Sequence, residues 1–535
     1  MFWIQLTVLA ALLSIVLYSR SRSKSTLRLP PGPKGLPIVG NLFDLPPSGV
    51  PEYQHWLKLK DTYGPVSSVT IFGTTLLILH SREAVQELLV KKSSKSSARP
   101  DFYFANVCGF GNVTSNITSG PVHRHQRKLV HQEFGTKLLV KQFSSIQDVE
   151  SRRFLLRVMN EPARTIDHIK TEASAIILKI VYGYSIQPHQ ADPLVKVIDH
   201  GMDIFSKTVL PFGWAVDIIP QLRLLPSWFP GLSFHKVERQ WKKVTRDMID
   251  IPYMFVEQQM SRGTFKPSYV SHYLEKNGGK AGNKRPFNQV DETAIKNSAA
   301  ILFGGGADTT VSSVSSTILA LILYPDVLRR AQKEIDDVVG SDRLPDFHDR
   351  DHLPYINALI KEAYRWKPVV PIATTHVTEE EMILSGYRIP KGAYILPSVW
   401  WFMHDPATYP NPSEFDPSRF MEPRNEPDPE DHVFGYGRRI CPGRHLADDT
   451  LYLTISRLIA AFSLTRKLDE QGRPLAINMG VTPGLISHPM PFPYSIAPRN
   501  AKYAELIRAT ETDHPWEESD AVHLGNVTSN PDDFT

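Results

Sequence analysis

The stretch Phe434–Asp449, FGYGRRICPGRHLADD, restricts the fold more than any other part of the chain. It holds one of only two cysteines, crowded by glycines, arginines and a proline. Pro442 and Gly443 follow Cys441, and RHLADDTLYLTISRLIAAF then has helical periodicity. The thiol is therefore expected just before a helix N-terminus, where amide donors and the helix dipole favour thiolate. Gly435, Gly437 and Gly443 let the backbone approach something closely. Such a site suits a thiolate bound to a metal with a large flat cofactor above it. A buried, inert cysteine is the plainer alternative. Zinc is disfavoured: Cys441 and His445 are spaced like one ligand pair, but no second pair appears.

Net charge is +4 on 60 basic and 56 acidic residues, too weak to imply nucleic acid. Two cysteines cannot make a disulfide framework, which points to a reducing compartment. Residues 1–19, MFWIQLTVLAALLSIVLYS, carry no charge. As a helix they span roughly 28 Å, about a bilayer's hydrocarbon thickness. Arg20, Arg22, Lys24 and Arg28 follow and favour a cytosolic body behind a retained anchor. A cleaved signal peptide would place its charge before the run. Residues 20–41 read as a basic, proline-rich hinge, 42–499 as the catalytic body and 500–535 as a C-terminal tail. Sequons at Asn112, Asn116 and Asn526 should stay unmodified if the body is cytosolic.

Within the body, VSSVTIFG and TLLILH read as a hairpin around Gly73. SREAVQELLVKK has a serine N-cap and helical spacing. From about 140 to 339 the pattern is mostly helical, interrupted by the proline- and aromatic-rich WAVDIIPQLRLLPSWFPG. EKNGGKAGNKRP, Glu275–Pro286, reads as a loop, and a long helix is expected over Val290–Leu323. Beyond Pro368 come short strands, proline-rich coil and one more helix. The fold class is mainly α with a minor β region.

At Phe434, Gly437, Arg439, Cys441 and Gly443 the chain fills every position of FxxGxRxCxG, and so resembles the cytochrome P-450 family. The resemblance implies that family's fold, preceded here by one transmembrane helix. It implies haem b with Cys441 as the axial ligand of the iron, and Arg439 paired with a haem propionate. Glu362 and Arg365 of IKEAYRW match ExxR, and Arg419 of FDPSRF matches the third member of a buried structural triad. In LFGGGADTTVSS, residues Gly305 to Thr310 match (A/G)Gx(D/E)TT. Glycines inside a helix cost about 1 kcal/mol each. The resemblance explains them as a groove for O2, with Asp308 and Thr309 forming a proton relay. Arg127 falls at the arginine of WxxxR, a propionate contact, whereas His123 stands where tryptophan is usual. His376 matches a position that often reaches a propionate; a surface histidine is the other reading.

The match covers about residues 30 to 495, and several segments look like filamentous-fungal enzymes of secondary metabolism. It implies a monooxygenase taking electrons from NADPH through a separate NADPH–cytochrome P-450 reductase, since no flavin or nucleotide-binding segment follows Phe462. Arg438 and Arg444 are candidate reductase contacts. The implied setting is the endoplasmic reticulum membrane, with lipid, O2 and a small apolar substrate as the other partners. Candidate lining segments are Phe102–Phe110, Ala300–Thr309, Val369–Ala373 and Met479–Ile486, free of lysine and arginine. Phe102, Tyr103, Phe104 and Phe110 would offer rings to a flat aromatic natural product; packing of that loop against the core is the alternative. A haem isomerase or dehydratase, and a silent haem-binding protein, are the rival classes.

Overall fold

The computed structural model describes residues 27–226, 234–278 and 288–525. The expected anchor at 1–19, residues 20–26 of the expected hinge, residues 279–286 of the expected loop and Asn526 lie outside them. Contacts divide the chain into two units: the part up to Pro100 with Thr375–Ser398, and Asp101–Thr374 with the part from Val399.

The first unit carries helix α1 (Glu52–Tyr63) and strands β1 (Val66–Ile71), β2 (Thr74–Leu79) and β3 (His376–Val377). A ribbon of β4 (Met382–Leu384) and β5 (Tyr387–Ile389) precedes β6 (Tyr394–Pro397). The hairpin β1–β2 turns at Phe72 and Gly73, both left-handed with φ of 45° and 85°. Two such residues make the tight turn that matches strand twist. β2 pairs in parallel with β6, and β6 antiparallel with β3, giving the order β1-β2-β6-β3. The proline arm lies along β1: Ser68 donates its amide to the Pro31 carbonyl and its hydroxyl to the Pro30 carbonyl. A Cβ at Gly32 would stand 1.8 Å from the Ser68 carbonyl oxygen, so only glycine allows that approach. Ser81 caps the following helix, which widens from α (Arg82–Val85) to a π turn (Gln86–Lys91).

The second unit is helical. In chain order it contains α2 (Pro121–Phe134), α3 (Ser144–Asn160), α4 (Thr165–Tyr182), α5 (Pro193–Thr208), α6 (Phe234–Arg262), α7 (Tyr269–Gly278) and α8 (Gln289–Leu323). There follow α9 (Pro325–Val338), α10 (Pro354–Trp366), α11 (Arg444–Ala461), the β7 (Phe462–Arg466)–β8 (Tyr494–Pro498) ribbon and α12 (Ala501–Asp513). The expected loop from Glu275 starts late, because α7 carries the helix through Gly278. The segment after Ala215 forms only a short helix (Ala215–Ile218) and a 3-10 turn (Pro220–Leu224) before the described chain breaks off.

α8 starts where the Asn288 side chain accepts the Val290 amide, and it stops before Pro325. The residue before a proline is pushed out of helical geometry. α8 is the one described helix apolar and long enough to cross a membrane, but most of it is buried within the body, as a core helix should be. It packs on α4, α2 and α11, while α3 packs on α4 and α11. Val314, Ile318, Leu319, Phe154, Ile455 and Leu458 are fully buried where α3, α8 and α11 share the core. α12, inside the stretch set apart as a tail, adds Tyr503 and Ile507 to that core. Its N-cap is Asn500, whose side chain accepts the Tyr503 amide.

One polar contact ties α4 to α11. Glu172, 1% exposed, accepts the Thr454 hydroxyl at 2.7 Å. Burial pushes its carboxyl up to about 8, against the pull of Thr454 and Arg157. The unfolded carboxyl ionises near its ordinary value, so folding holds a proton between the two pH values and stability falls as pH rises through that window. Glu172→Gln keeps a neutral partner for Thr454. Its stability advantage over the wild type should grow by about 2–3 kcal/mol between roughly pH 6 and pH 9 in chemical denaturation. A pH-independent difference would show that Glu172 ionises normally.

Candidate active site

The cysteine loop is closed by its own backbone. Cys441 donates its amide to the Phe434 carbonyl at 2.7 Å. Gly435 and Gly437 take left-handed φ of 81° and 53°, which turns the chain back on itself. Gly443 has an ordinary φ and sits at the N-cap of α11, with open space where a side chain would project. The Phe434 ring packs edge-on against Tyr364 of α10 at 5.3 Å between centroids. The loop thus fixes the sulfur at the head of a core helix.

Cys441 is half-buried, and its sulfur accepts the amides of Gly443 and Arg444. Burial pushes the thiol up; those amides and the Arg127 and Arg444 guanidiniums oppose the push without cancelling it. Cys108 is the contrast. It is fully buried, and burial with the Glu238 and Asp217 charges pushes its thiol up to about 12. Among the described residues no group of three or more His, Cys, Asp or Glu could cage a metal ion. One semi-accessible sulfur with amide donors and a guanidinium fits a group that brings its own ring of ligands and needs a single axial anion.

Arg127 and His123 stand four residues apart on α2, hence on one helix face. Burial lowers the Arg127 guanidinium, and the Cys441 charge counters it. His123 is 7% exposed. Arg439, 9% exposed, donates to the carbonyls of Thr114 at 3.3 Å and Ile117 at 2.9 Å, so its guanidinium already orders the loop before α2. His376 belongs to the first unit. It is 3% exposed with Nδ1 on the Ser96 carbonyl at 3.0 Å, which overturns the surface reading.

Glu362, Arg365 and Arg419 meet in the interior, each at most 1% exposed. Arg365 holds Glu362 through Nε at 2.7 Å and Nη2 at 2.8 Å, and Arg419 Nε reaches Glu362 at 3.3 Å. Their remaining donors collect carbonyls: Arg365 takes Met403, Pro412 and Glu414, and Arg419 takes Pro410 and Asn411. Burial raises the Glu362 carboxyl against the pull of Arg365. The triad therefore shapes the coil that leads into the cysteine loop.

The three glycines of α8 have two separate causes. A Cβ at Gly304 would strike Met202 of α5 at 2.3 Å, and one at Gly306 would meet Ile177 of α4 at 2.9 Å. A Cβ at Gly305 would meet nothing within 4 Å. Close helix packing accounts for two of them, and open space for one. Thr309 donates to the Gly305 carbonyl at 2.6 Å, while Asp308 lies 3.1 Å from Nε2 of His488. No hydrogen bond joins Asp308 to Thr309 among the described residues, so the expected pair is not connected directly. Sequence reasoning missed His488, which no pattern ties to a residue 180 positions earlier.

The expected ring platform is largely spent on packing. Phe104 stacks on Trp214 at 3.8 Å and leans on Trp241, and Phe110 meets Phe205 edge-on at 5.3 Å. Tyr103 lies under the Arg223 guanidinium. Both Phe104 and Phe110 are fully buried. For these rings the packing alternative holds. Asn116 is buried with its side-chain amide on the Phe110 carbonyl at 3.2 Å, a poor glycan acceptor in the folded chain.

Residues 30–494 match the family model described as Cytochrome P450. The chain is 47% identical to "Cytochrome P450 monooxygenase CLM2" of Gibberella zeae over 97% of its length and 98% of the relative's. It is equally identical to "Multifunctional cytochrome P450 monooxygenase af510" of Aspergillus fumigatus, over 95% of each chain. It is 38% identical to "O-methylsterigmatocystin oxidoreductase" of Aspergillus flavus, over 93% of this chain and 92% of that one.

Proposed function

The chain belongs to the cytochrome P450 family and is a monooxygenase of it, and from that premise we propose that it inserts one oxygen atom of O2 into an apolar natural product of fungal secondary metabolism. The carrying observation is the sulfur of Cys441 at the head of α11, with two amides on it and Arg127 beside it in charge. Haem, when bound, supplies the activation of O2. Cys441 would hold the iron, and its amide donors would steady the sulfur's charge. Arg127 would pair with a propionate from α2, with His123 one turn away on the same helix. Arg439 keeps the 114–117 carbonyls in place beneath such a contact. Thr309 and Asp308 place a hydroxyl and a carboxylate on the helix whose glycine at 305 leaves room for the reacting groups.

Electrons come from NADPH through a separate reductase. Arg438 is exposed and Arg444 half-buried near the cysteine loop, a basic surface suited to an acidic partner. An N-terminal anchor at 1–19 would keep this face on the cytosolic side of the endoplasmic reticulum; an occupied glycan on Asn112 would contradict it. The lining segments lack lysine and arginine, which disfavours strongly anionic substrates. With Phe104 and Phe110 committed to packing, the aromatic-substrate reading rests on the fungal relatives, one of which is an O-methylsterigmatocystin oxidoreductase.

The test is reconstitution with reductase, NADPH and isotopically labelled O2, against aromatic polyketides, indoles, terpenes and fatty acids. One labelled oxygen should enter an apolar ring compound, after a low-spin to high-spin Soret shift on binding. Turnover of a ligand without NADPH would favour an isomerase or dehydratase, and turnover confined to fatty acids would overturn the substrate class.

A further inference from the structure

The loop bearing His488 is built as a small hairpin. Thr482 donates its amide to the His488 carbonyl at 2.9 Å, and the His488 amide returns to the Thr482 hydroxyl at 3.0 Å. A bridge between Val481 and Pro489 closes its base. Two contacts anchor it next to α8. The Ser312 hydroxyl donates to the Ser487 carbonyl at 2.5 Å, one helical turn beyond Asp308. The Ser487 amide donates to the Val369 carbonyl at 2.9 Å. Leu485 and Ile486 are buried. The backbone on either side of His488 is therefore fixed, and its ring is aimed at Asp308.

Nε2 of His488 lies 3.1 Å from the Asp308 carboxylate, and the two side chains are 29% and 21% exposed. Both side chains are thus partly reached by water. Thr309, the next residue, spends its hydroxyl on the Gly305 carbonyl. From these placements we infer that His488 carries protons from solvent to Asp308, and so is the entry residue of a proton path into α8. This rests on the monooxygenase reading above. The step balances as a proton transfer alone. Nδ1 takes a proton from hydronium while Nε2 gives its own to the carboxylate; once Asp308 has passed that proton on, the ring regains its first tautomer by losing the Nδ1 proton to solvent and taking one at Nε2. No electron pair changes owner beyond the N–H and O–H bonds made and broken. Histidine suits the task because one ring nitrogen can take a proton while the other gives one. An amide of similar size can hold Asp308 but cannot pass a proton through itself.

That difference makes the test. His488→Gln preserves a donor to Asp308, and His488→Ala removes it. Reconstituted with reductase, NADPH and a turned-over substrate, both variants should release several-fold more hydrogen peroxide per NADPH than the wild type. Substrate affinity, read from the Soret shift, should be unchanged in the glutamine variant. Normal coupling in His488→Gln with uncoupling only in His488→Ala would reduce His488 to a positioning residue and overturn the inference. Normal coupling in both would overturn it too. A second readout needs no turnover. In histidine-labelled protein, Asp308→Asn should shift the ring-nitrogen resonance that His488→Gln deletes; an unmoved resonance would deny the contact. Failure of the wild type itself to take up O2 with any substrate would instead strike the monooxygenase reading.

Discussion

Cys441→Ala is expected to abolish the thiolate-type Soret band of the reduced, carbon monoxide-treated protein, together with all oxygenase activity, while Cys108→Ala leaves both intact. The two thiols differ in everything that governs ligation. Cys441 is half-buried, takes two amide donors and lies within reach of two guanidiniums. Cys108 is sealed in the core beside acidic groups that oppose its ionisation. A thiolate is the ligand form, so the site that supplies donors to sulfur is the one that binds. The alanine variant should still fold, since the loop is closed by the Cys441 amide and not by its side chain. Circular dichroism and the thermal midpoint of the haem-free protein check this. A variant that kept the band would reassign the ligand.

Arg365→Ala should be the most destabilising single change outside that loop. It leaves Glu362, 0% exposed, with only the Arg419 guanidinium at 3.3 Å and the Asp416 amide at 2.8 Å, and it frees the carbonyls of Met403, Pro412 and Glu414. Breaking a buried pair by removing one member costs about 3–5 kcal/mol, because a desolvated charge is left behind. The lost carbonyl partners add to it. Denaturation of the haem-free chain should show that loss, or the variant should be recovered only as aggregate. Arg365→Lys keeps the charge but cannot span carboxylate and three carbonyls at once, and should recover less than half of the loss. A variant with wild-type stability would mean that the triad is not what holds the coil before Phe434.

The parts of this molecule that could be read from its sequence share one property: the cause sits beside the effect. The α8 helix is announced by an apolar run with an asparagine cap and a proline stop, and it begins one residue before its expected start. The β1–β2 hairpin is announced by β-branched and apolar residues on either side of Gly73. The cysteine loop is legible because its glycines, its cysteine and the helix behind it are contiguous. Glu362 and Arg365 are neighbours on one face of α10, so their pairing is local. What they hold is not: the carbonyls of residues 403–414 are a matter of tertiary packing. The same holds for the partners of Phe104 and Phe110, whose rings look available until Trp214, Trp241 and Phe205 arrive from distant segments. His488 is the extreme case, since an imidazole in a coil has no periodicity to betray it. α12 was hidden by its polar composition, although Tyr503 and Ile507 recur at helical spacing.

The division of labour among Gly304, Gly305 and Gly306 bears on how such a molecule can diverge. A Cβ at two of these positions would crowd the Met202 sulfur of α5 or the Ile177 side chain of α4. Any side chain there must be matched by changes in α5 or α4. The position between them answers to no protein atom. Lineages can therefore enlarge that one residue without displacing a protein side chain around it. A family that keeps its scaffold while exchanging what it acts upon needs at least one position of this kind, and here it lies between two whose neighbours would have to shift.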